Sequence, residues 1–406
     1  MGVVFILLFT LAGAVVFRRP PHWCFAGGLL AALVGGWVTP AEAFSGFLNK
    51  AVLAVGCLYI VAAGVRYTGA LDEFLGGLLE PPKSARFLPW VTAVSSVLNN
   101  TPVVGILIAP IEEWCRKSKS SPGKLLLPLS YAASLGGMLT LFGTSTNLIL
   151  SEMLTDTGAS ELGPFEIAKV GLPCALVGLL FLCFESKRVL PVREPGERPH
   201  EVGEGVKRTE RAPWALGAVA SMVVLTGLGV LPLLLSAPFT AGLMVLTGCC
   251  SWHQAAREVN WRVLLLMGSA LGLAKAVEKS GLSAIMARGL VEAIQGGSTF
   301  LILAALYLVT WLLTEVLTNA AAAALMFPVA VGVAQTSTLD LTSLTLLIMI
   351  AASASFATPF GNQTNLMVME SGGYEVEDYL ALGLPLALLV GVTAVTTTWF
   401  LTTPGT

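Results

Sequence analysis

Charged side chains are scarce in this sequence. Only 12% of its 406 residues are Asp, Glu, Lys or Arg, about half of the roughly 25% that soluble proteins carry, whereas 55% are hydrophobic. Apolar runs that approach the roughly 20 residues needed to cross a bilayer as a helix recur from one end to the other. The scarcity of charge excludes an ordinary soluble domain and predicts an all-α, multi-pass integral membrane protein.

The sequence also lacks the signatures of most catalytic and nucleotide-driven machinery. GxGxxG, GxxxxGK[ST] and HExxH are absent, and none of the three histidines has a neighbour that would suggest catalysis. The seven cysteines form no CxxC pair, so we interpret them as small apolar residues rather than as metal ligands or disulfides. No basic patch indicates binding to nucleic acid. We therefore expect neither an enzyme nor an organic cofactor.

Short polar runs interrupt the apolar sequence in two matching pairs. FGTSTNLIL spans Phe142–Leu150 and FGNQTNLMVM spans Phe360–Met369, while LNNTP at 98–102 is matched by LTN at 317–319. Around the second pair, VSSVLNNTPVVGILIAP aligns with LTEVLTNAAAAALMFPV, and a further block upstream of each aligns in the same order. Chance similarity between apolar helices would not align the polar interruptions as well. The sequence therefore indicates an internal duplication.

The duplication predicts the domain organisation. A short apolar arm, a polar tip and a second short arm are typical of a re-entrant hairpin rather than of one spanning helix. We expect about ten spans, two such hairpins and two helices broken near the midplane of the membrane. The predicted parts are a first half at 1–184 with a hairpin at 87–114 and a broken helix at 124–154, a linker at 185–212, and a second half at 213–406 with a hairpin at 299–334 and a broken helix at 342–370.

The distribution of lysine and arginine predicts the orientation in the membrane. Most of the 23 basic residues fall on one side if both termini face outward, and cytoplasmic flanks are the ones that collect positive charge. The linker at 185–212 is then cytoplasmic in a plasma or inner membrane. The first hairpin enters from the cytoplasm and the second from outside, so the halves are inverted copies. Inverted repeats with broken helices are typical of secondary transporters.

The breaks have a chemistry of their own. A broken helix exposes carbonyls at the end of one segment and amides at the start of the next. Carbonyl and side-chain oxygens of Asn and Thr suit Na⁺, whereas helix N-termini carry positive partial charge and suit an anion. Ser, Thr and Asn can also join membrane helices by hydrogen bonds without binding anything. Four motifs in two symmetric pairs favour a transport site over that structural alternative.

One carboxylate lies inside an otherwise apolar arm. Glu315 precedes Asn319 by one helical turn, and burying its charge would be costly, so intramembrane acids are by default functional candidates. Glu315 could carry a proton or complete a cation site. A Glu that faces a water-filled vestibule, or that is capped by a neighbour, would fit the sequence equally well.

The motifs carry a resemblance to a known family. LNNTPVV, GTSTNL, LTNAAAAALMFP and PFGNQTNL resemble the divalent anion:Na⁺ symporters of the ion transporter superfamily, and the tract TPFGNQTNLMVMESGGYEVEDYLALGLPL is most similar to their algal and bacterial sulfate permease branch. The resemblance extends from about Pro40 to Leu401. It implies an elevator-type symporter, usually a homodimer, in which a transport domain of hairpins and broken helices slides against a scaffold.

The resemblance also implies the site residues. The anion would contact both hairpin tips, at Asn99, Asn100, Thr101, Thr318 and Asn319. One Na⁺ site would be formed by Asn100, Thr101, Gly143, Thr144, Ser145 and Asn147, and its mirror image by Asn319, Thr358, Gly361, Asn362, Thr364 and Asn365.

Two features depart from the family pattern. Dicarboxylate carriers have Ser-Asn-Thr at both tips, whereas the tips here read Asn-Asn-Thr and Thr-Asn-Ala. Sulfate permeases of the branch commonly carry a pair of TrkA-C-like regulatory domains in the central loop, and the linker at 185–212 is too short to contain one. The sequence thus predicts an asymmetric anion site in a bare transport core.

The functional expectation is Na⁺-coupled uptake of a small divalent anion, most simply sulfate, by alternating access. Related permeases move citrate, other dicarboxylates or arsenite, and H⁺ could replace Na⁺ as the coupling ion, so these remain alternatives. A passive anion channel is the rival from another class. A channel needs a continuous polar pathway, whereas the polarity here is concentrated in two mirror-related places.

Overall fold

The structure is a computed structural model of the chain. It describes residues 5–6, 9–10, 21–71, 77–79, 86–159, 162–190, 208–227, 230–259, 261–280, 298–337 and 339–402. Helix makes up 80% of the structure, and the described residues contain no β-strand, so the predicted all-α class is confirmed. Most of the linker predicted at 185–212 lies outside the described residues, and so does most of the apolar run at 3–17, which we interpret from the sequence as the first span.

The helices are numbered α1 to α17 in chain order through the described residues. The first half contains α1 (Pro21–Val34), α2 (Pro40–Ser45), α3 (Lys50–Thr68), α4 (Phe87–Val97), α5 (Asn100–Ser118), α6 (Leu126–Gly137), α7 (Ser145–Asp156) and α8 (Ala168–Val189). The second half contains α9 (Ala212–Gly227), α10 (Leu233–Leu246), α11 (Trp252–Glu258), α12 (Trp261–Lys279), α13 (Thr299–Thr314), α14 (Asn319–Thr336), α15 (Leu341–Ser353), α16 (Gln363–Gly372) and α17 (Val376–Thr402).

Few of the described helices have both the length and the hydrophobicity that a membrane-spanning helix needs. Within the described residues, two are long and apolar enough by themselves, at 168–186 and 376–402, and several shorter apolar helices accompany them. Four of these shorter helices adjoin the polar interruptions, namely Phe87–Val97, Thr299–Thr314, Asn319–Gln335 and Leu341–Ser353. Their bounds do not fix the number of crossings, so the count of about ten spans stays a prediction.

The chain turns at both predicted hairpin tips. In the first, α4 ends at Val97 and α5 starts at Asn100; in the second, α13 ends at Thr314 and α14 starts at Asn319. Each second arm begins with a side-chain cap: the Asn99 side chain accepts a hydrogen bond from Thr101 N, and Thr318 accepts one from Ala321 N. Capping satisfies backbone donors that a helix start otherwise leaves without a partner.

The two predicted broken helices are interrupted at equivalent points. Helix α6 stops at Gly137, a 3₁₀ turn follows at Leu141–Gly143, and α7 starts at Ser145. Helix α15 stops at Ser353 and α16 starts at Gln363. The segments after the breaks end at Asp156 and Gly372, two residues beyond the predicted limits of 154 and 370. Entry from opposite sides of the membrane stays a prediction.

The broken helices lie in the middle of the protein. Every residue of α6 is buried, as is every residue of α15 from Leu344 to Ser353, and a helix that is apolar on all sides is expected to be surrounded by others. Helix α6 packs against α4, α15 packs against α13 and α14, and the long helices α8 and α17 pack against each other. A second, smaller core joins α3 with α9, α10 and α11.

Glycines let the long helices approach the breaks closely. A Cβ on Gly171 of α8 would collide with the carbonyl oxygen of Met138, directly after α6. In the same way, a Cβ on Gly383 of α17 would collide with the carbonyl oxygen of Phe356, directly after α15. In each half, one glycine of the long helix therefore lies against a carbonyl group of the break.

This close approach gives a stability prediction. We expect Gly171→Ala and Gly383→Ala each to destabilise the protein by about 1–3 kcal/mol, the usual cost of overpacking a tight contact. Thermal denaturation of the detergent-purified protein measures the effect. Gly217→Ala on α9 is the matched control, because a Cβ there meets nothing within 4 Å and alanine favours a helix. Unchanged denaturation of both test variants would show that the helices do not lie this close.

Candidate functional site

One cavity of about 670 Å³ lies where the two halves meet. It is lined by both hairpin tips and by both breaks. Of the predicted site residues, those that line it are Asn99, Asn100, Thr101, Thr144, Ser145, Glu315, Thr318, Asn319, Thr358, Gly361 and Asn362. The structure therefore brings together side chains from four segments that are far apart in the sequence.

Four predicted cation ligands lie behind the cavity wall instead of on it. Gly143, Asn147, Thr364 and Asn365 do not line the cavity, and Asn147, Thr364 and Asn365 are fully buried or nearly so. Their side-chain contacts explain the placement. The side chains of Asn147 and Asn365 are directed at the backbone of the breaks, whereas the Thr364 hydroxyl contacts Ser130.

The buried asparagines brace the two breaks in the same way. Asn147 Nδ2 donates to Gly137 O and to Thr140 O, both at 2.9 Å. Asn365 Nδ2 donates to Ser355 O at 2.9 Å and to Thr358 O at 3.1 Å. The amides reach back ten and seven residues in both halves, so one side chain satisfies two carbonyls that the interrupted helix has left without amide partners.

A threonine ties each break to its hairpin tip. Thr358 Oγ1 donates to Glu315 O at 2.9 Å and accepts from Gly361 N at 3.2 Å. Thr140, at the equivalent place in the first half, donates to Ser96 O and accepts from Gly143 N. Thr358 is among the cation ligands that the family resemblance implies, and Thr140 is not. The duplication nevertheless contains a signal for Thr140, since the two threonines stand at matching positions before Gly143 and Gly361.

The asparagines of the tips are held by hydroxyls five residues earlier. Ser95 Oγ donates to Asn100 Oδ1 at 2.8 Å. In the second tip the Asn319 amide group is oriented with its nitrogen toward Thr314 Oγ1 and Gly361 O, both at 2.9 Å, since the opposite orientation would face its oxygen with acceptors. The side-chain oxygen of Asn319 is then on the side of the amide away from Gly361 O.

Helix starts surround the cavity. The N-cap residues of α5, α7, α14 and α16 are Asn99, Thr144, Thr318 and Asn362, and all four line it. Each helix start contributes positive partial charge, equivalent to roughly half an elementary charge. Among the described residues that line the cavity there is no Lys, Arg or His. Attraction for an anion therefore comes from helix ends and amides.

The halves differ in how the breaks are anchored. Ser130 of α6 lies 2.8 Å from Thr364 Oγ1 and 2.7 Å from Asn365 Oδ1, and Asn362 Nδ2 donates to Ser134 Oγ at 2.9 Å. Among the described residues the first break has no such brace, because Ile348 occupies the position equivalent to Ser130. Accordingly, the buried Asn147 Oδ1 has no hydrogen-bond partner among the described residues.

The cavity also has a wall that the sequence analysis did not identify. Phe25 of α1, Asn49 before α3 and Leu271 of α12 line it, and the Phe25 ring lies 4.2 Å from that of Phe360, centroid to centroid. A weak signal existed for Asn49, since the first aligned block of the duplication shares an Asn at its position. Apolar residues such as Phe25 carry no such signal.

Comparison with known proteins identifies the family. The model of the citrate transporter family, CitMHS, matches residues 6–351. An uncharacterized transporter of Synechocystis, sll0640, is 24% identical over 88% of the chain and 90% of its own length. Sodium/sulfate cotransporter 1 of Chlamydomonas reinhardtii is 37% identical over 159 residues, which are 39% of the chain and 18% of that protein.

A solved structure adds a further likeness. The YdaH transporter of Alcanivorax borkumensis aligns with 92% of the chain and 88% of its own chain at 14% identity, with a TM-score of 0.45. The family match alone covers well over half of the residues. It confirms the prediction of a transporter rather than an enzyme, and the chain belongs to the citrate transporter family of multi-pass membrane proteins.

Proposed function

We propose that the protein is a secondary active symporter that couples a Na⁺ gradient to the uptake of a small divalent anion, sulfate. The observation that carries the proposal is the convergence of two capped tips and two braced breaks on one cavity. Helix starts offer amide donors to an anion, and the adjoining carbonyls and hydroxyls offer oxygens to a cation. The resemblance to sodium/sulfate cotransporter 1 supports this pairing of ions.

We further propose an elevator-type alternating-access mechanism in a homodimer. The hairpins and broken helices, α4 to α7 and α13 to α16, would form the moving transport domain. The smaller core of α3, α9, α10 and α11 would belong to the scaffold. In this proposal the termini face outward and the linker at 185–212 is cytoplasmic, as the distribution of basic residues predicts.

In this proposal, partial charges at the helix starts hold the sulfate in place of a basic side chain. A dianion held by Lys or Arg would be released slowly, whereas capped helix ends bind it through partial charges and leave its affinity moderate. The coupling Na⁺ ions would offset the remaining charge. Na⁺ is a hard cation, and the lining hydroxyls and amides of Thr101, Ser145, Asn319 and Thr358 supply oxygen ligands of the kind it prefers.

Citrate or another dicarboxylate is the second candidate cargo. The family is named for citrate, and a cavity of about 670 Å³ has room for an anion larger than sulfate. Against this candidate, the second tip has Ala320 where a hydroxyl would complete Ser-Asn-Thr. Arsenite is a further alternative cargo, and H⁺ is an alternative coupling ion. A passive channel is distinguished from a symporter because it would not accumulate its anion against a gradient.

Transport in proteoliposomes tests the proposal. We expect radiolabelled sulfate to accumulate inside against its gradient when an inward Na⁺ gradient is imposed, and not when choline replaces Na⁺, because the driving force comes from the cation. Empty liposomes are the control, and unlabelled citrate, succinate and arsenite are added as competitors. Absence of accumulation under both Na⁺ and H⁺ gradients would exclude sulfate, and strong competition by citrate would favour the second candidate.

The bracing asparagines provide a test of the site. We expect Asn147→Ala and Asn365→Ala each to lower Na⁺-driven sulfate uptake at least tenfold. Each change leaves two buried carbonyls without donors, at about 1–3 kcal/mol per group, and lets the break relax. Initial rates in proteoliposomes measure the loss, with size-exclusion profiles to verify folding.

A matched control separates this effect from general damage. Ser221→Ala on α9 removes a hydroxyl whose hydrogen bond stays within its own helix, to Ala218 O at 2.8 Å. Its uptake is expected to equal that of the wild type. If the two asparagine variants also transport normally and keep their Na⁺ dependence, the broken helices do not form the cation sites.

A further inference from the structure

Glu315 is the single charged residue among the described residues that line the cavity. It directly follows α13 at the second hairpin tip, and only 7% of its surface is exposed. At the equivalent position the first tip has Ser96, whose hydroxyl donates to Ala93 O. A carboxyl group is therefore present in one half of the site and absent from the other.

The two carboxylate oxygens of Glu315 have different surroundings. Oε1 accepts from Trp311 Nε1 and from Ala357 N, both at 2.9 Å. Oε2 is buried and has no hydrogen-bond partner in the described part of the chain, where no Lys, Arg or His lies within salt-bridge distance either. Two donors hold Oε1 and fix the orientation of the carboxylate, whereas Oε2 accepts no hydrogen bond from the described residues. Such a group is costly to bury unless a ligand completes its surroundings.

We propose that Glu315 Oε2 binds the coupling Na⁺ of the second half, and that this carboxylate makes anion capture conditional on that cation. Oxygen atoms suited to Na⁺ lie close by. Thr358 is hydrogen-bonded to the backbone of Glu315 at 2.9 Å, and Asn319 presents an amide to the same cavity. The inference rests on the proposed function and assigns to one residue the step that links the two ions.

Electrostatics supplies the link. Glu315 precedes Thr318, the N-cap of α14, by three residues, so their Cα atoms are at most about 11 Å apart. That upper limit is slightly longer than the Debye length of about 8 Å in physiological salt, and screening is weaker in a buried cavity. An anion at the helix start is repelled by the free carboxylate and attracted once Na⁺ neutralises it. The first tip, with Ser96, has no such repulsion to relieve.

Direct binding to the purified full-length protein tests the proposal. Radioactive Na⁺ and radioactive sulfate are the probes, and Glu315→Gln, which keeps the shape and an acceptor but removes the charge, is the test variant. We expect its Na⁺ affinity to fall at least tenfold and its sulfate binding without Na⁺ to rise at least tenfold above the wild type. Glu166→Gln is the control, because it changes the net charge by the same amount at a surface ion pair with Lys169. It should leave the affinities for Na⁺ and for sulfate unchanged.

Two results would overturn the inference: wild-type Na⁺ affinity in Glu315→Gln, or sulfate binding that depends on Na⁺ as strongly as before. A merely structural role would not produce the gain of Na⁺-independent sulfate binding. If Glu315→Gln does not fold, Glu315→Asp decides, because a carboxylate one methylene shorter should weaken Na⁺ binding while sulfate binding still requires Na⁺. Unchanged Na⁺ affinity in Glu315→Asp would contradict the proposal.

The binding assay also separates this inference from the proposed function. Sulfate uptake driven by Na⁺, together with normal Na⁺ binding to Glu315→Gln, would leave the proposed function standing and refute the role of Glu315. If the wild type binds Na⁺ and no sulfate, the cargo assignment fails. The loss of Na⁺ affinity in Glu315→Gln then still decides whether Glu315 is a cation ligand.

Discussion

The structure depends on one constraint, which is that a helix broken inside a membrane must find partners for its exposed peptide groups. Two asparagines meet that constraint, with Asn147 and Asn365 each donating to a pair of carbonyls in their own break. Once these carbonyls are satisfied from behind, the other side of each break is available to a solute. Because the asparagines are buried and do not line the cavity, its wall is formed by the other residues of the breaks and tips.

The breaks could be predicted from the sequence because each one requires polar residues in an otherwise apolar run. Only polar residues can satisfy a broken backbone in an apolar chain, so the Thr-Asn motifs located the breaks and the duplication paired them. Contacts made by single ordinary residues could not be predicted in the same way. Ser130 contacts Asn365 from a helix more than two hundred residues earlier in the chain. Phe25 lies at the cavity because its ring packs against Phe360. Neither contact is indicated by a periodic pattern in the sequence.

The two duplicated halves share the side chains that brace their breaks but differ in how each break is attached to the other half. The threonine at 140 or 358 and the asparagine at 147 or 365 make the same contacts in both. In contrast, the second break is fastened to the first half through Ser130 and Ser134, and the first break has no matching hydroxyl from the second half because Ile348 stands there. The second break is therefore joined to α6 by side-chain hydrogen bonds, whereas α15 meets the first break through packing alone among the described residues.

This inequality suits a symporter better than two identical sites would. A transporter must release what it binds, so strong fixed charges around the anion would be a disadvantage, and partial charges at helix starts provide attraction without trapping it. In the proposed mechanism, coupling needs one place where the ions depend on each other, and the carboxylate of Glu315 would create that dependence. The first half has Ser96 at the equivalent position, so its braces hold the shape of the site without adding an acidic group.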